Sequence, residues 1–135
     1  MSNLKRQNHN NIGKIGENVA TKFLTKNGYH ILDRNYLRKW GEIDIVAKHR
    51  DIIHFIEVKS VSCESSGGVI RESGDYRPED NVHQWKLKRL RRIIQTYLLD
   101  KNIADEDEWQ FDVAAVYLDL PNRISKIRYI EDIGI

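Results

Sequence analysis

Gly41-Glu42-Ile43-Asp44-Ile45-Val46, followed closely by Phe55-Ile56-Glu57-Val58-Lys59, is the stretch whose reading decides the fold of this chain. Apolar and acidic residues alternate through the first block, as they do on a half-buried strand. Ile52 to Val61 is a second β-rich run, and only the polar Arg50-Asp51 separates the two. That pattern predicts a hairpin. Glu57 and Lys59 are two apart and share a face, whereas Ile56 and Val58 occupy the other. A two-residue turn at Arg50-Asp51 pairs His49 with Ile52. Counted back along both strands, it sets Asp44 opposite Glu57 and Glu42 opposite Lys59. A slip of one residue would send Asp44 to the opposite face.

Two carboxylates facing each other across a ladder repel. A divalent cation between them removes the repulsion, and Mg²⁺ is typically held by one or two carboxylates together with water and phosphate oxygens. The expectation is a Mg²⁺ or Mn²⁺ site on Asp44 and Glu57, with the Val58 carbonyl as a further oxygen. Such an ion turns bound water into a nucleophile and neutralises phosphate charge. Lys59 is then placed to orient that water or to stabilise the transition-state oxyanion. The plainer alternative is a solvated strand face on which Glu57 and Lys59 form an ion pair. Spacing alone leaves both open.

Outward from the hairpin, Ile12, Ile15, Val19, Phe23 and Leu24 fall at helical spacing, with Asn11 as a cap and Asn27-Gly28 as the stop. Residues 1–11 read as a flexible polar arm and 12–135 as a single domain. Tyr29 to Arg38 has strand character and ends in a turn at Trp40-Gly41. Residues 62–81 form an extended loop without apolar period. A long helix follows from Asn81 to about Lys101, with Leu87, Leu90, Ile93, Ile94, Tyr97 and Leu98 on one face. Trp109 to Leu118 and Ile124 to Ile130 are the last strands. The order α-β-β-β-α-β-β predicts an α/β sandwich around a mixed sheet flanked by helices.

Of the 135 residues, 40% are hydrophobic, which suits one domain with one real core. No segment approaches the roughly 18 consecutive apolar residues of a membrane helix. The polar N-terminus lacks a signal-peptide core. Cys63, the single cysteine, excludes an internal disulfide. The expected setting is the cytoplasm, with no membrane partner.

Net charge is only +2, so the distribution of charge matters more than its sum. Bases cluster on the second helix at Lys86, Lys88, Arg89, Arg91 and Arg92. Lys86 falls within the apolar arc near the helix start, where it either snorkels to solvent or meets an anion such as phosphate. Lys88, Arg89 and Arg92 point outward, either tracking a nucleic-acid backbone or forming an ordinary solvated face.

Several blocks occur together in order: Gly13-x-x-Gly16-Glu17, Gly28-Tyr29, Arg34-Asn35-Tyr36, Gly41-Glu42-Ile43-Asp44, Phe55-Ile56-Glu57-Val58-Lys59, Lys86-x-x-Arg89-Leu90 and Phe111-Asp112-Val113. They resemble the YraN family of bacterial proteins, itself similar to the restriction-endonuclease-like fold and to archaeal Holliday-junction resolvases. The resemblance implies a three-layer PD-(D/E)xK nuclease core that hydrolyses DNA, including branched DNA. In it Asp44 and Glu57 bind metal, Lys59 serves catalysis, and Glu17 on the first helix completes the catalytic set. For Glu17 the local alternative is an acid favoured near a helix N-terminus. Similar resolvases form two-fold dimers, which makes a homodimer an expectation. Two rivals stay open, a nucleic-acid-binding module without cleavage and a protein-interaction module that retains the fold.

Overall fold

The Arg50-Asp51 turn builds the central hairpin in this structure, a computed structural model that describes residues 2–71 and 84–135. Side chains are described from Asn11 to Arg71 and from Lys86 onward. Both turn residues have positive φ, 51° and 65°, as in the type I′ turns whose twist matches that of paired strands. His49 pairs with Ile52, and the antiparallel register runs back to Ile45 with Ile56. This is the register expected from a two-residue turn.

Around the hairpin the order is α1 (Ser2–Lys26), β1 (His30–Arg38), β2 (Gly41–His49), β3 (Ile52–Ser62), α2 (Gln84–Asp100), β4 (Trp109–Asp119) and β5 (Ile124–Ile130). The strands form one sheet in sequential order. β3 and β4 pair in parallel, and every other pair is antiparallel. A parallel pair needs a long crossover, and α2 lies within it. This is the α/β sandwich with a mixed sheet that the element order predicted.

Each face of the sheet buries its own core. Ile43, Val46, Phe55 and Phe111 pack with Leu90, Ile93, Ile94 and Tyr97 of α2. Ile45, Ala47, Ile56, Ala114 and Val116 pack with Ala20 and Leu24 of α1. Ile43 and Ile45 therefore lie in opposite cores, although strict alternation would put them on one face. The pattern of β2 breaks once, at Asp44.

α1 begins at Ser2, so residues 2–11 have helical backbone where the sequence reading placed an arm. Leu4, Lys5, Arg6 and Gln7 are good helix formers, and no Gly or Pro interrupts the run. The helix therefore propagates beyond its apolar stripe. Past β3, Gly67 and Gly68 turn the chain back at positive φ, and Ile70 is buried against Ala115 and Tyr117. The Ser65 N–H donates to Asp119 Oδ2 at 2.9 Å, so the first part of the 62–81 segment is anchored to β4. Its remainder, 72–81, lies outside the described residues, as do residues 81–83 of the expected long helix.

Gly16 sets how closely α1 approaches the sheet. A Cβ there would sit 1.8 Å from Ser60 Oγ and 2.9 Å from Ser60 Cβ. Rotation of the hydroxyl relieves the first contact but not the second. Gly16→Ala is expected to cost about 1–3 kcal/mol by overpacking, and Ser60→Gly in the same chain should recover most of it. Thermal melts of both variants check this; equal losses would show that the clash is elsewhere.

Candidate metal and phosphodiester site

The break in β2 places the acidic residues. Beyond the Ile45–Ile56 pair, β2 continues beside β1 and β3 continues beside β4. Val58 is thereby left without a β2 backbone partner, and its N–H donates instead to Asp44 Oδ2 at 2.8 Å. Asp44 and Glu57 are not a ladder pair, because the strands part just before them. Glu42 likewise does not pair with Lys59.

α1 brings Glu17 to this gap. One carboxylate oxygen from each of Glu17, Glu42 and Asp44 lies within 4.8 Å of the others, close enough to share one cation. β1 supports the group. Arg34 Nη2 lies 3.7 Å from Glu17 Oε2 and donates to Asn18 Oδ1 at 2.9 Å. Asn35, at φ 53°, directs its amide nitrogen to Glu17 Oε2 at 3.1 Å and to Glu42 Oε1 at 2.9 Å. Asn tolerates this left-handed backbone better than most residues.

Asp44 records the crowding. Its carboxyl is pushed up to about 7, first by burial and then by the charges of Glu17, Glu57 and Glu42, against the lowering effect of the Val58 N–H. A shared cation would reverse that balance. The chemistry of this donor set fits a divalent ion.

Glu57 and Lys59 share a face, as two-residue spacing requires, and that face meets α2. Glu57 Oε1 takes Lys86 Nζ at 2.9 Å and Lys59 Nζ at 3.3 Å. Glu57 Oε2 is buried without a hydrogen-bond partner among the described residues. Val58 turns its side chain into the α1-side core. Lys86, Lys88, Arg89 and Arg92 line a groove of about 730 Å³ between α2 and the β1–β2 hairpin. The opposite wall is Leu37, Arg38, Lys39 and Trp40, and Glu42 and Glu57 also border the groove. The Arg92 guanidinium sits 4.5 Å from the Trp40 ring centroid.

Glu42, Asn35 and the hairpin bases Arg38 and Lys39 are not assigned to the site by the sequence alone. Polar residues inside strand runs were the available signal for the first two. The hairpin bases carried none, because their distance from α2 is a tertiary fact.

The sequence pattern of the Uncharacterised protein family UPF0102 matches residues 16–116, a span that holds Glu17, Asp44, Glu57, Lys59 and Lys86. The chain belongs to that family. A UPF0102 protein of Alkaliphilus oremlandii is 37% identical over 121 residues, covering 90% of this chain and 95% of the relative. A second, of Moorella thermoacetica, is 39% identical over 119 residues, covering 88% and 91%. A third, of Campylobacter jejuni, is 36% identical over 108 residues, covering 80% and 85%. This UPF0102 chain has, among its described residues, no helix long and apolar enough to cross a membrane.

A second polar cluster sits lower on the α1 face. Asp112 is fully buried and accepts from His54 Nδ1 at 2.6 Å, Gln110 Nε2 at 2.8 Å, the Asp132 N–H at 2.9 Å and the Tyr129 hydroxyl. Glu131 offers a carboxylate oxygen close to this pair. Four donors occupy the lone pairs of Asp112, so the group reads as a lock joining β3, β4 and the chain beyond β5. Asp112→Ala should cost about 3–5 kcal/mol, since it strands several buried donors. A urea melt checks that value, and a loss below about 1 kcal/mol would remove the lock.

Asp44 predicts an opposite effect. Between its ordinary 3.8 and about 7, the folded chain keeps a proton that the unfolded chain has released. Stability from this group therefore falls as pH rises through that window. Asp44→Asn keeps an acceptor for the Val58 N–H and should stabilise the metal-free protein above pH 7 by at most about 4 kcal/mol, with little effect near pH 4. Melting temperatures at both pH values test this.

Proposed function

We propose that this UPF0102 protein is a divalent-metal-dependent nuclease that hydrolyses phosphodiester bonds in DNA. The observation that carries the reading is the convergence of Glu17, Glu42 and Asp44 beside Glu57, with the Asp44 carboxyl raised to about 7 by burial first and by its acidic neighbours second. Folding three acids together is unfavourable unless something cationic uses them. The lysines and arginines of the adjoining groove suit a polyanionic substrate.

Glu17, Glu42, Asp44 and Glu57 would hold Mg²⁺ or Mn²⁺, with the Val58 carbonyl as a further oxygen. When bound, that ion supplies an activated water and a counter-charge for the scissile phosphate. Asn35 and Arg34 keep Glu17 and Glu42 in register against their own repulsion. Lys59, which extends from the same strand as Glu57 and pairs with it, would steady the attacking water or the charge that develops on phosphate. Lys88, Arg89 and Arg92, with Arg38 and Lys39 opposite, would hold the strand by its backbone, without regard to sequence. Branched DNA and a two-fold dimer with two such sites are the substrate and assembly that the resemblance to resolvases favours.

One observation favours a second reading, binding without cleavage. Glu57 already has lysines as counter-ions, so the groove holds together without an ion. Branched, flapped, single-stranded and duplex DNA incubated with Mn²⁺ separates the two. The wild-type chain is expected to cleave at least one of these, and Asp44→Asn to lose at least about a hundredfold in rate. Equal cleavage by both proteins would sink the assignment. Tight binding without any cleavage would support the second reading.

A further inference from the structure

Glu57 carries more positive charge than it needs. One of its oxygens takes two ammonium groups, Lys86 at 2.9 Å and Lys59 at 3.3 Å, while the other is buried without a partner among the described residues. The charge of Asp44 also bears on Lys59, whereas the ion pair of Lys86 is with Glu57, and the two ammoniums repel. They are not equivalent. Lys59 rises from β3 two residues beyond Glu57 and stays beside it through the strand itself. Lys86 reaches across from the first turn of α2, and it is also a lining residue of the basic groove. It lies between an anion it already has and the place where another would arrive.

We infer that Lys86 is an exchangeable counter-ion: it neutralises Glu57 until a divalent cation binds there, and is then handed to a phosphate of the nucleic acid in the groove. This rests on the metal-dependent reading above and adds an order of events to it. No bond is made or broken in the exchange. A cation on Glu57 repels Lys86 and supplies the charge it had provided, and the released ammonium is left facing the groove. A phosphate that draws Lys86 away equally uncovers Glu57. The two ligands must therefore help each other bind, by the same factor in each direction. Lys88 is a useful contrast, since it lines the same groove and is exposed, yet forms no ion pair with Glu57.

Calorimetric titration with Mn²⁺ tests this without reference to turnover. Lys86→Met, and Lys86→Gln as a second variant against misfolding, should bind Mn²⁺ on the order of tenfold more tightly than wild type in the absence of DNA. Lys88→Met removes the same charge and should stay within about twofold of wild type. A short phosphorothioate oligonucleotide should tighten Mn²⁺ binding to wild type but not to the Lys86 variants. If wild type binds Mn²⁺ and the Lys86 variants bind it no better, the exchange is overturned and the nuclease reading stands. If neither binds Mn²⁺ at all, the metal-dependent reading fails and takes the exchange with it. Mn²⁺ binding that appears only in the Lys86 variants would support the exchange directly.

Discussion

A single hydrogen bond marks where this sheet changes partners. β2 and β3 run together for five residue pairs from the Arg50-Asp51 turn and then part, each continuing on its other neighbour. A buried N–H left unpaired at such a fork costs a kcal/mol or more. The Asp44 carboxylate takes the place of the missing backbone acceptor at Val58. The fork opens a gap that Glu17 enters from α1, and it frees Glu57 to turn towards α2. With the strands paired further, these residues would lie in an ordinary ladder and the acids could not gather.

The gap brings together two groups of opposite character. On the α1 side, Glu17, Glu42 and Asp44 crowd one another, with amide and guanidinium support from β1. On the α2 side, Glu57 is overcompensated by Lys59 and Lys86. An excess of negative charge thus sits next to an excess of positive charge. Neither group relaxes the other fully: the charges of Glu57 and Lys59 both reach Asp44, yet its carboxyl stays raised. A site that receives a cation and a polyanion together needs that division, and the groove beside Glu42 and Glu57 is where both would enter.

The rest of the molecule holds this arrangement rigid. The close contact of Gly16 with Ser60 seats α1 low enough for Glu17 to reach the fork. The buried Asp112, with its donors from β3, β4 and the C-terminal segment, fixes the far end of the same face. The second core, between α2 and the other face, positions Lys86.

Much of this was legible in the sequence, because the signals involved are local. Alternation marked the strands, helical spacing marked α1 and α2, and counting back from a two-residue turn gave the ladder register. Two-residue spacing was enough to place Glu57 and Lys59 on one face. What the sequence could not give is where pairing stops. Hairpin counting assumes that two strands stay together, and here β3 leaves β2 for β4, a competition between neighbours far apart in the chain. That choice separated Asp44 from a ladder partnership with Glu57 and moved Glu42 from Lys59 to Glu17. It also left Lys86, from a helix nearly thirty residues downstream, as the nearest cation to Glu57. The identities of the charged residues were fixed by the sequence, and their partners were decided by the fork in the sheet.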